Sequence, residues 1–205
     1  MRFYLRLIWY YVENMLPGIL AAAALYACLY VPRMRRLAAR KLRSSRPREV
    51  LLLLFWMFCG GMAVLTLTPW GFHWRVLLEY GVISDQGTFF ALGDVNLIPF
   101  QSLELGHQSM YTVFNLLGNI IMFLPFGFFL SLLWRDFGWK RALLAGLCIT
   151  GLIECWQLLV GRAFDIDDLA LNTLGVLCGY WLWAGLGRRG HYCKQTGNEN
   201  MLCQL

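Results

Sequence analysis

Apolar residues run along this chain in five long blocks, and most of the charge sits in the stretches between them. The blocks cover Asn14–Val31, Val50–Thr68, Val113–Trp134, Ala142–Val160 and Leu169–Gly187. Each approaches the ~20 residues that a helix needs to cross the hydrocarbon of a bilayer. The pattern predicts an all-α fold, an integral membrane bundle of about five transmembrane helices. Pro32 closes the first block and Pro69 the second. The first is the weakest, with Pro17 and Gly18 near its start, and Phe3–Val12 either extends it or lies flat at the interface. The one long connection runs from Pro69 to Thr112. It opens on Trp70, Phe72 and Trp74, an expected interfacial aromatic belt, and has room for a short surface or re-entrant segment.

Composition agrees. The chain is 59% hydrophobic and 15% charged, where a soluble domain carries about 25% charge. The net charge of +6 raises nucleic acid as a partner, but the basic residues lie between apolar spans with no interleaved aromatics, so no nucleic-acid role is expected. Their distribution instead orients the bundle. The first connection holds Arg33, Arg35, Arg36, Arg40, Lys41, Arg43, Arg46 and Arg48. The third holds Arg135, Lys140 and Arg141, and the tail holds Arg188, Arg189 and Lys194. Only Arg2, Arg6, Arg75 and Arg162 fall on the opposite side. With five alternating spans, the N-terminus is expected outside and the C-terminus in the cytoplasm. The early apolar run lacks a small-x-small cleavage site and reads as a retained helix. The run from Arg33 to Arg48 reads as a topology anchor, with anionic headgroup binding as its alternative role.

Seven cysteines contain no CxxC pair and no Cys/His spacing suited to zinc, so they read as small apolar helix residues. No P-loop or nucleophile elbow occurs, and no cofactor is expected. His73, His107 and His191 lie in the long connection and the tail.

The polar residues inside the spans carry the functional argument, because intramembrane polar side chains are costly. Asn115 and Asn119 are spaced i, i+4 and share a helix face; Glu154 and Gln157 are spaced i, i+3; Asn172 follows Asp168 by four. At 1.5 Å per residue, Asn119 and Glu154 each lie about 9 Å below the outer end of their span, and Asn172 about 5 Å below its own. Three helices thus bring polar groups into one layer of the outer leaflet. The short connection beside it adds Arg162, Asp165, Asp167 and Asp168. Asp165 and Asp168 have capping-box spacing, but a helix start needs one cap and not three carboxylates. The candidate ligand-binding set is therefore Asn115, Asn119, Glu154, Gln157, Arg162, Asp165, Asp167, Asp168 and Asn172, with Glu154 and Asp168 the candidates for catalysis. Gly175 and Gly179 continue one face and read as a close-packing seam. Pro125 is expected to kink the third span.

These residues fall into four ordered pieces: Asn96-Leu-Ile-Pro-Phe100; Asn119-Ile-Ile-Met-Phe-Leu-Pro-Phe-Gly127; Glu154-Cys-Trp-Gln157; and Gly161-Arg162, Asp165-Ile-Asp-Asp168, Asn172-Thr-Leu-Gly175. Together they resemble the VanZ-like family of bacterial membrane proteins, over about Val50 to Leu186. The resemblance implies a cell-envelope protein, and it links the chain to teicoplanin-type lipoglycopeptide resistance through the family's founding member. It divides the chain into an added N-terminal helix and basic connection (1–49), a VanZ-like transmembrane domain (50–187) and a cytoplasmic tail (188–205).

Four functions compete. In the first, the outer-leaflet site binds a lipid headgroup or a lipid-linked wall intermediate, or changes how a lipophilic glycopeptide meets the membrane; carboxylates and amides suit a polar or amine-bearing group, and Arg162 suits a phosphate. In the second, an intramembrane enzyme uses Glu154 as general acid or base, with Asp165, Asp167 and Asp168 around a hard divalent cation. A transporter is the third, weakened by the lack of an internal repeat. In the fourth, the polar layer only glues helices together. The expected partners are membrane lipids or lipid-linked envelope intermediates.

Overall fold

In the computed structural model the described residues are 2–69, 72–81, 89–99, 110–134 and 136–187. The elements are α1 (Arg2–Ala39), α2 (Arg46–Leu67), α3 (Trp74–Tyr80), β1 (Val95–Asn96), α4 (Met110–Leu133), α5 (Trp139–Leu159), β2 (Phe164–Asp165) and α6 (Ile166–Gly187). Five of these helices hold stretches long and apolar enough to cross a membrane: Trp9–Ala39, Arg46–Leu67, Leu116–Leu133, Trp139–Leu159 and Ile166–Leu186. The chain is a multi-pass membrane protein. The tail, Trp70, His107 and His191 lie outside the described residues.

The chain forms two compact units. Among the described residues, the first contains those up to Asp94 together with Trp156–Ala163; the second contains Val95–Cys155 and Phe164–Gly187.

In the first unit, α1 packs along α2. Gly18 and Gly60 make this possible: a Cβ on either would come within 2.2–2.3 Å of the other's carbonyl oxygen. α1 is longer than the first apolar block, because it continues through both Pro17 and Pro32. Proline removes one i→i−4 hydrogen bond, but membrane helices tolerate this where neighbours hold the chain. Pro32 is straddled in this way. Tyr26 before it donates to Glu49 of α2, and Arg33 after it pairs with the same carboxylate. At the other end of α1, Asn14 Nδ2 donates to Phe72 O at 2.9 Å, Trp74 Nε1 donates to Glu13 O at 3.1 Å, and Arg75 pairs with Glu13. The short helix in the long connection, α3, starts on His73, whose Nδ1 accepts from Arg75 N–H, and ends at Gly81 in the left-handed region.

In the second unit, α4 and α6 form the most extensive helix pair. Glycines set their spacing. A Cβ on Gly127 would sit 1.8 Å from Val176 O, one on Gly175 2.4 Å from Ile120 O, and one on Gly179 1.9 Å from Leu124 O. The Gly175/Gly179 seam read from the sequence is therefore real, and α4 answers it with Gly127. α4 runs without interruption through Pro125. Gly146 of α5 faces Thr173 and Val176 of α6. β1 and β2 pair in parallel, with Val95 opposite Phe164 and Asn96 opposite Asp165.

Candidate functional site

The start of α6 organises the second unit's polar groups. Asp165 is the residue before the helix, and its Oδ1 accepts the Asp167 N–H at 2.9 Å. That satisfies one of the orphan donors of the first turn. In a capping box the acidic residue at the third helical position, here Asp168, would accept the N–H of the cap itself. The structure gives that task to a different helix: the Asp165 N–H donates to Glu154 Oε2 of α5 at 3.0 Å. Asp168 Oδ1 instead accepts from Asn119 Nδ2 of α4. A third element joins through β1, where Asn96 Nδ2 donates to Asp165 Oδ2 at 3.2 Å.

Asn119, Glu154, Asp165 and Asp168 are thus brought together by direct hydrogen bonds and one helical turn. Their exposures differ. Glu154 is only 1% exposed, whereas Asn119, Asp165 and Asp168 are half-buried. A buried carboxylate bonded to a backbone amide fixes a loop, while the groups around it keep part of their surface exposed. The positive end of the α6 dipole favours the carboxylates of this turn. Asp167 is buried at 7% exposure and Asn172 at 4%. The Asn172 Oδ1 finds no hydrogen-bond partner among the described residues, and neither do the buried hydroxyls of Thr150 on α5 and Thr173 on α6. Elsewhere helical hydroxyls donate back to their own helix, as Thr66 does to Met62 O and Ser131 to Gly127 O. Asn115 lies one turn before Asn119 on α4, and its side chain is outside the described residues.

Two candidate residues belong to the first unit and are engaged there with the end of α2. Gln157 Nε2 donates to Thr66 O at 3.0 Å, and Arg162 Nη1 donates to Leu65 O at 3.0 Å; Trp156 Nε1 donates to Leu67 O at 2.7 Å. The last carbonyls of a helix lack intrahelical donors, and these three side chains supply them. Arg162 reaches its place because α5 ends in a Schellman close: Gly161 is left-handed at φ 75, and the Arg162 N–H returns to Gln157 O at 2.9 Å. Beside this turn, Ala91 N–H donates to Leu159 O and Gly93 N–H to Leu158 O. Gly93 is required there, since a Cβ would stand 1.8 Å from Arg162 O.

The sequence pattern did not single out Asn96 as a site residue, although it belongs to the first of the four family-like pieces, Asn96–Phe100. It lies outside the spans, so no depth argument reaches it; its match to the motif was the available signal. Thr150 and Thr173 were missed because threonine in a helix ordinarily satisfies itself. The divalent-cation alternative for Asp165, Asp167 and Asp168 finds no support: among the described residues no three His, Cys, Asp or Glu side chains are placed to hold a metal ion.

A family model described as VanZ/LLP1 matches residues 50–187. That stretch holds α2 from Val50 onward and all elements through α6, with every residue of the arrangement above, and it leaves α1, the basic turn and the first residues of α2 outside. No curated protein and no solved structure matches the chain.

Proposed function

We propose, for a chain that belongs to the VanZ/LLP1 family, that the first turn of α6 is a binding site for the polar headgroup of a lipid or lipid-linked cell-wall component on the outer face of a bacterial membrane. The observation that carries this reading is the split of roles around Asp165. Glu154 is 1% exposed and holds the Asp165 backbone, while Asp165, Asp168 and Asn119 stay half-buried. Carboxylates and an amide in this setting suit an amine-bearing or hydroxyl-rich group, which hydrogen-bonds to both. Asn172 extends the α6 face toward the membrane interior, Asn115 lies one turn nearer the outer end of α4, and Asp167 is a buried member of the first turn of α6. Gln157 and Arg162 are left out of this site, because their side chains hold the end of α2.

An acid or base must come within hydrogen-bond reach of the proton it moves. The burial of Glu154 therefore favours a positioning role over a catalytic one. In a cell, occupancy of a lipid-linked intermediate would change how a teicoplanin-type lipoglycopeptide meets its membrane-bound target, which is the route by which this chain would modulate susceptibility. The orientation follows from the basic residues, with the N-terminus outside and the C-terminus in the cytoplasm. The test is a headgroup and lipid-intermediate profile of cells with and without the protein, read alongside teicoplanin susceptibility. Unchanged lipid species with altered glycopeptide binding support the binding reading; conversion of one species into another indicates an enzyme.

A further inference from the structure

The turn between α1 and α2 lies within the first unit and outside the family match. α1 closes with the Lys41 N–H on Ala38 O and the Leu42 N–H on Leu37 O, both at 2.9 Å. This close needs its penultimate residue in the left-handed region, where glycine is usual. Here the residue is Lys41, at φ 57. A side chain kept at a position that disfavours it points to work done by that side chain.

The following residues fix the corner. Ser45 Oγ accepts the Arg48 N–H at 3.4 Å, and Pro47 lies in the first turn of α2. Glu49 is engaged by Arg33 and Tyr26. None of the basic residues from Arg35 to Arg48 makes an ion pair among the described residues. Along the end of α1 and the turn that follows it, Met34, Ala38, Lys41, Leu42, Arg43 and Ser44 line an open cleft of about 580 Å³. Its lining joins two cations to three apolar side chains, of which Leu42 stands 42% exposed. Both flanking helices are apolar enough to cross a membrane, so the cleft sits where a bilayer's headgroups begin.

We propose that this cleft binds the phosphate headgroup of an anionic phospholipid, with Lys41 and Arg43 on the phosphate and Met34, Ala38 and Leu42 against the glycerol and upper acyl chain. A lone cationic surface attracts anionic lipid diffusely; a cleft with both chemistries selects one molecule. The proposal stands independently of the site at α6.

The experiment uses the full-length protein in phosphatidylcholine nanodiscs carrying a minor fraction of phosphatidylglycerol, with bound lipid counted by native mass spectrometry. The double variant Lys41→Gly, Arg43→Gln removes the two cleft charges, and its glycine is the residue the backbone favours, so the fold is retained. The matched control Arg35→Gln, Arg36→Gln removes two exposed charges that do not line the cleft. Wild type and control are expected to retain phosphatidylglycerol, and the cleft variant to lose it by about fivefold for each charge removed. Should the double variant melt differently from wild type, Arg43→Gln alone gives the same reading. Equal losses in cleft variant and control would show a diffuse surface and overturn the proposal, as would no loss in the cleft variant. Displacement of the bound lipid by millimolar inorganic phosphate would also overturn it, in favour of a soluble anion.

Discussion

The carboxylate of Glu154 on α5 accepts the backbone N–H of Asp165 at 3.0 Å, so a residue inside one span fixes the residue that starts the next helix. The acceptor for the cap N–H is thus Glu154 and not Asp168, which accepts from Asn119. This division of labour gives Glu154 and Asp168 different mutational signatures.

Glu154→Gln keeps an acceptor oxygen for the Asp165 N–H. It should leave thermal stability in detergent, membrane abundance and lipid retention close to wild type. Glu154→Ala leaves that amide unpaired and opens a cavity in a buried site, and should cost roughly 2–5 kcal/mol. Loss of activity in a well-folded Glu154→Gln variant would instead mark Glu154 as a working acid or base.

The α4–α6 seam has no room for a methyl group. Gly127→Ala and Gly179→Ala would each drive a Cβ to within 2 Å of a carbonyl oxygen on the facing helix, and backbone cannot yield as a flexible side chain does. Each should cost at least about 1–3 kcal/mol, seen as reduced abundance and a lower unfolding temperature. Gly118→Ala and Gly185→Ala have open space at the added Cβ and should be mild in the same assay.

Much of this was legible in the sequence. Five apolar blocks gave five helices, because bilayer thickness leaves few other uses for them. The glycine seam was legible because spacing alone puts Gly175 and Gly179 on one face. The extent of α1 was not: the rule that proline ends a helix gave way to contacts from Tyr26 and Arg33 to Glu49, and these depend on which helix stands beside α1. The fates of Gln157 and Arg162 were hidden for the same reason. Depth arguments place a polar group in a layer but do not say which carbonyl it meets, and both found the end of α2. The spacing of Asp165 and Asp168 correctly located a helix start, but the reciprocal acceptor came from Glu154, eleven residues earlier.

Arg162→Gln removes the guanidinium that donates to Leu65 O. Hydrogen bonds from charged groups contribute about 1.5–3 kcal/mol, so the variant should unfold at a lower temperature whether or not lipid is present. A variant as stable as wild type that fails only in lipid binding would return Arg162 to the ligand site.

The orientation is checked by labelling. Leu42 is exposed in the basic turn, so a Leu42→Cys variant should resist a membrane-impermeant thiol reagent in intact cells and react once the cells are opened. Reaction in intact cells would invert the topology and put the first turn of α6 on the cytoplasmic side.

The central claim is that the first turn of α6 binds a polar headgroup through Asp168, and its most direct test is the lipid that co-purifies with the protein. Wild type and Asp168→Asn are purified in parallel and their bound lipids quantified by mass spectrometry. Asparagine keeps the oxygen that accepts from Asn119, so the variant should fold as wild type does. The account predicts one headgroup class enriched on wild type over its share of the membrane, and that enrichment lost from Asp168→Asn. If both proteins carry the same lipids in membrane proportions, the polar groups around Asp165 hold helices together and bind nothing.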